Sequence, residues 1–342
     1  MNWRLFLYYY INLPTQFGDE PVFFHIQRRI EFPEIPVLTP LLNMGNVGVD
    51  IFMFLSGYCL CLSFKRNSNL RRFFRKRVSR VVIPYLVISI PYFLYRAFIV
   101  KQSLSFFKQC LTFAIDISGV SFWLKGFQTI WFVHAIIVLY CLFPLFYRII
   151  CKGKTAGVAL IIATYLLIFF CYYFSPIFDK NAIALCRFPV FIFGILMAYY
   201  GWGLSFKKRH LFAFAIFVIL IIWIIPTKDF MYQHFRNGYA PLFIFFITMV
   251  IPLMALMAKI VEKLDAVSNR ILLFIGGLSL EIYIIHIMIL NILRDYRIIE
   301  NEMAVDPING CLIYFFVSLF TIILSYITSV FVNNFIIKRY LE

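Results

Sequence analysis

Nine apolar runs divide this chain, at about 47–64, 82–100, 131–150, 155–174, 182–200, 211–226, 240–258, 271–293 and 311–332, with short polar stretches between them. Each is close to the roughly 20 residues that a helix needs to cross the hydrocarbon core of a bilayer. Within a run the hydrophobic residues are continuous and do not alternate, which excludes the strands of a membrane barrel. Lipid offers no partner to a backbone amide, so each run must satisfy its own amides as a helix. The pattern predicts an all-α fold, a polytopic transmembrane helical bundle of about nine to ten spans.

Two stretches depart from it. Residues 1–46 hold only one short apolar run, in MNWRLFLYYYINL, followed by Pro14, Pro21, Pro33, Pro36 and Pro40 among mixed charges. This part reads as an outer-face segment resting in the interface through Trp3 and its tyrosines, and 47–342 as the transmembrane domain. Residues 101–130 are too polar for a full span and read as a re-entrant or interfacial helix on the outer side.

Composition agrees with a membrane solvent. Hydrophobic residues make up 63% of the chain and charged residues 14%, against roughly a quarter charged in soluble domains. The net charge of +16 is not scattered. If the stretch at 65–80 is cytoplasmic, alternation puts 148–154, 205–210, 259–270 and 338–342 on the same side, and these hold 19 of the 32 basic residues with only Glu262, Asp265 and Glu342 as acids. That is the positive-inside bias. It points to a multi-pass protein of the inner (plasma) membrane with cytoplasmic basic loops, touching anionic lipid. Because the basic residues are spread over every inner loop, a nucleic-acid partner is not indicated. The eight cysteines lie mostly in or at the ends of spans, with no CxxC or Cys/His spacing, so they read as buried small hydrophobes and no metal is expected.

Chemistry is expected where ionisable residues enter apolar runs, since such residues are expensive there. Asp50 opens the first run in GVD, either capping its helix or pairing with another group. The loop 65–80 gathers eight Lys and Arg; Arg77 and Arg80 are three apart, share a helix face, and offer planar forks suited to phosphate. Pro84 fits the first turn of the next span. Trp131 reads as an interfacial belt residue; His134, a turn inside, is a candidate polar group facing the bundle interior, although a satisfied core histidine is the commoner case. Arg187 lies a few residues into a run, where it either snorkels outward or binds an anionic group. In Ser279–His286, Tyr283 and His286 share a face and Glu281 points elsewhere. His25 reads as a solvated histidine beside Arg28 and Arg29. The residues alone leave open an enzyme, a transporter or flippase for a lipid-linked saccharide, and an inactive partner subunit.

Five segments, GVDIFMFLSGY at 48–58, RKRVSRVVIPY at 75–85, WFVHAIIVLYCLFP at 131–144, RFPVFIFGILMA at 187–198 and SLEIYIIH at 279–286, together resemble the acyltransferase 3 family of integral membrane O-acyltransferases, in the family's order. The resemblance implies transfer of an acetyl or other short acyl group from acyl-CoA, with acetyl-CoA as donor, to a hydroxyl of a surface polysaccharide or lipid-linked glycan. It implies that Arg77 and Arg80 bind the acyl-CoA, and that a histidine acts as general base or acyl carrier. On this basis His25, Asp50 and His286 are the catalytic candidates, with Arg77, Arg80, Arg187, Trp131, Glu281 and Tyr283 as binding candidates. The family's usual first span, with an Arg and a His about ten residues later, has no counterpart before Gly45, so that helix is expected to be missing or degenerate.

Overall fold

The computed structural model describes residues 46–125, 130–174, 178–202, 265–296 and 307–338, with isolated positions between 215 and 263. Among the described residues every regular element is helical. Five helices are long and apolar enough to cross a membrane, or six if Arg270–Gly277 and Ser279–Asp295, bent by 59°, form one span. The expected spans at 211–226 and 240–258 lie almost wholly outside the described residues, as do His25 and Gly45. The described residues form two compact units, one from 46–70 and those between 138 and 273, the other from 71–137 and those from 274 onward.

In the first unit, α1 (Asn46–Arg66) packs along α9 (Phe188–Tyr199). The two run in parallel, since Asp50 meets Arg187 near their starts and Lys65 donates to the Tyr199 carbonyl at 2.6 Å near their ends. Between these points Gly57 lies against the Phe191 carbonyl and Gly194 against the Phe54 carbonyl, with no room for a Cβ at either. Reciprocal glycines of this kind let two helix backbones touch, which is how helices gain packing energy in lipid. The helix α7 (Lys154–Phe174) instead leaves Leu166, Phe169 and Phe174 at least 60% exposed, as a lipid-facing helix should. A short α8 (Phe178–Leu185) precedes α9 and turns at Cys186–Arg187.

The second unit is built on one long rod. The expected loop at 65–80 is a break of only three residues, 67–69; from Leu70 to Val100 the chain is continuously helical for 31 residues. It comprises α2 (Leu70–Arg77), a π-turn at Val78–Val82, α3 (Ile83–Leu94) and a second π-turn at Tyr95–Val100. The reason is that Arg, Lys and Leu are good helix formers whatever their hydropathy. Pro84 and Pro91 lack an N–H, and the π-turns adjoin α3, the helix that carries both prolines: Ile83 N–H reaches back to Val78 and Lys101 N–H to Arg96, five residues each. At 1.5 Å per residue the rod is about 46 Å long, longer than the ~30 Å core, and Tyr85 is its midpoint.

Residues 101–130 then fold back along it. The helix α4 (Phe106–Ile117) ends beside Tyr85, whose hydroxyl lies 2.6 Å from the Ile117 carbonyl. Its polarity is inverted: Phe106 and Phe107 are 73% and 76% exposed while Gln109 and Asp116 are buried. Outward it presents these phenylalanines beside Lys108, and inward Gln109 and Asp116, an arrangement suited to a helix lying against lipid. The short α5 (Val120–Lys125) follows, and α6 (Trp131–Cys151) begins level with the middle of the rod. Trp131 is therefore buried at 2% exposure and is not a belt residue at the membrane surface. Closing the unit, α11 (Ser279–Asp295) packs between the rod and α12 (Pro307–Phe331), with α10 (Ala266–Gly277) preceding it.

Candidate active site

Tyr85, at the rod's midpoint, meets a histidine of α6. Tyr85, the residue after the first-turn Pro84, is fixed by the hydrogen bond its hydroxyl donates to the Ile117 carbonyl and lies 3.1 Å from His134 Nε2. The two rings meet edge to face at 5.7 Å, and Phe122 of α5 lies 6.2 Å from the imidazole. Gly119, at φ +76°, makes the turn between α4 and α5, and a Cβ there would come within 2.7 Å of the His134 ring. Glycine is required twice over, for the left-handed backbone and for the close approach.

Two residues before His134, Phe132 packs edge to face on Tyr283 at 5.4 Å, and Tyr283 lies 5.9 Å from His286. The sequence spacing thus holds: Tyr283 and His286 share a face of α11. His286 Nδ1 lies 2.9 Å from the Ile282 carbonyl. A carbonyl only accepts, so Nδ1 carries the proton and Nε2 the lone pair. Glu281 faces away from them, buried in the first turn of α11, where it accepts from Ser329 of α12; a carboxylate suits that helix end.

Arg77 and Arg80 lie on the same rod, ahead of Tyr85. Arg77 is half-buried with its guanidinium 5.8 Å from the Phe73 ring, and Arg80 is exposed. Five residues separate Arg80 from Tyr85, a rise of about 7 Å, so one helix links the cationic stretch to the buried cluster.

Asp50 and Arg187 belong to the first unit. Their side chains are fully buried, with Arg187 Nε 3.2 Å from Asp50 Oδ1, and Arg187 Nη1 donates to the Ile183 carbonyl. Arg187 does not snorkel, and its charge is balanced within the protein. Of the residues singled out in the sequence, the structure therefore groups Trp131, Tyr283 and His286 around one cluster, puts Arg77 and Arg80 on the rod that supports it, and pairs Asp50 with Arg187.

Sequence reasoning missed three features. Tyr85 was not among the candidates, and the one signal for it was its phenol, which needs a partner when buried. Arg96 Nη1 and Asn291 Nδ2 both donate to the Tyr92 hydroxyl, at 3.3 and 3.2 Å, joining α3 to α11. Thr321, Ser325 and Ser329, four residues apart, are the buried positions of α12 among its described side chains. Among the described residues no three of His, Cys, Asp and Glu converge as metal ligands would.

Residues 6–330 match the family model described as an acyltransferase domain. No curated protein and no solved structure matches the chain. The match runs over nearly the whole sequence and takes in all five segments of the resemblance, together with the lipid-facing helices and the buried cluster. This chain belongs to the acyltransferase 3 family of membrane acyltransferases.

Proposed function

We propose that the protein is an O-acyltransferase that moves an acetyl or other short acyl group from acyl-CoA to a hydroxyl of a surface polysaccharide or lipid-linked glycan, in the inner (plasma) membrane with its basic stretches cytoplasmic. The observation that carries this reading is the rod from Leu70 to Val100, which joins Arg77 and Arg80 to a histidine-bearing cluster within the lipid-facing fold. Arg77 and Arg80 are the donor's phosphate ligands, because planar guanidinium forks bind phosphate oxygens in pairs. Tyr283 and His286 line the acceptor side, and Glu281, turned away from them, ties α11 to α12 through Ser329. A hydroxyl is a weak nucleophile and must lose its proton as it attacks the thioester carbonyl, so a neutral histidine is the fitting base. Asp50 and Arg187 serve as support, each satisfying the other's charge.

Transfer from radiolabelled acetyl-CoA tests the reading in membranes that contain glycan or lipid acceptor. Label is expected to enter that fraction with the natural chain, and Arg80→Ala is expected to raise KM for the donor on the order of 10- to 100-fold, the loss of one charge-assisted contact. Unmodified lipid-linked saccharide moving between leaflets, with no label transferred, would make the protein a transporter.

A further inference from the structure

The hydrogen bonds at Tyr85 fix where the proton of His134 sits. Tyr85 has one hydroxyl proton, and at 2.6 Å it is committed to the Ile117 carbonyl, which can only accept. The phenolic oxygen can then only accept from His134 Nε2 at 3.1 Å, so Nε2 carries the imidazole proton. The lone pair of the neutral ring is left on Nδ1. That atom is buried, on a residue 4% exposed, and has no hydrogen-bond partner among the described residues. Ser121, 2% exposed and on the short helix that sets Phe122 against the same ring, also has a hydroxyl without a partner among them. Buried polar atoms are satisfied in the great majority of cases, so an exception calls for a reason. Here the ring is held by Tyr85, Gly119 and Phe122, which gives an oriented imidazole whose Nδ1 lone pair is not engaged by any described residue.

We propose that His134 is the general base of the transfer, with Tyr85 as the residue that positions it; the assignment rests on the acyl-transfer reading above. The acceptor hydroxyl gives its proton to His134 Nδ1 while its oxygen forms the ester bond to the acyl carbon. The carbon–sulfur bond breaks, its electron pair leaves on the CoA thiolate, and the imidazolium returns the proton to that thiolate. Atoms and charge balance with no further reactant. His286 is the rival base, with its Nδ1–H donated to its own helix backbone and its lone pair on Nε2, but among the described residues no side chain from another helix hydrogen-bonds its ring as Tyr85 does that of His134.

His134→Gln tests the assignment, because glutamine keeps an N–H donor for Tyr85 and lacks the Nδ1 lone pair. The expected result is a folded protein of unchanged melting temperature in detergent, unchanged KM for acetyl-CoA, and a kcat lower by 100-fold or more, the usual contribution of a general base. Tyr85→Phe should lower kcat by about 10-fold at unchanged donor KM, since its role is to orient. Full kcat in His134→Gln beside an active natural chain would overturn the role of His134 alone, as would a folded variant impaired only through donor KM. A natural chain that transfers no acyl group would overturn the proposed reaction, and the base with it.

Discussion

Asp50 and Arg187 are each expensive in a membrane-embedded helix, and each is tolerated because of the other. Their ion pair is fully buried, where desolvation takes back most of the Coulomb attraction. Removing one partner leaves an uncompensated buried charge. Asp50→Leu alone, or Arg187→Met alone, is therefore expected to destabilise the fold by about 3–5 kcal/mol, whereas the double variant should recover most of that loss. Thermal melting of the purified variants measures it, and a double variant no better than either single one would show that the pair does not act as a unit. Both residues stood out in the sequence as charges entering apolar runs. Their pairing did not, because it depends on a parallel contact between helices 137 residues apart in the chain. His134 was visible too, yet nothing local distinguishes a satisfied core histidine from one held by Tyr85.

At the scale of helices, the tightest requirement is the reciprocal contact of Gly57 and Gly194 in α1 and α9. A methyl group at either position meets backbone carbonyl oxygen, which cannot rotate away as a side chain would. Gly57→Ala and Gly194→Ala should each cost about 1–3 kcal/mol through forced separation of the helices, read as a lower melting temperature, while Gly277→Ala, with open space around its Cβ position, should leave it unchanged. The sequence carries Gly57 within its first apolar run, 47–64. It misjudged the stretch from 65 to 80, where the density of Lys and Arg lowers hydropathy without lowering helix propensity. The helix that begins at Leu70 carries the cationic residues and Tyr85 on one rod, which a loop could not do.

For the whole molecule, the apolar pattern was enough to give the class of fold, because a bilayer permits few alternatives. What it could not give was the depth of each element. Residues 101–130 look like an outer connection, but α4 turns its phenylalanines outward and its Gln109 and Asp116 inward, and this lowers the start of α6 to the level of Tyr85. Embedding predicts that Phe107→Cys resists a membrane-impermeant thiol reagent applied to either side, as read by mass spectrometry of the peptide that contains it; labelling would place α4 on the membrane surface. The measurement closest to the central claim is the mass of lipid-linked glycans and surface polysaccharide from cells with and without the protein. The account predicts species heavier by one acyl ester only when the natural chain is present, and identical masses in the two, with the acceptor present and the protein expressed, would contradict it.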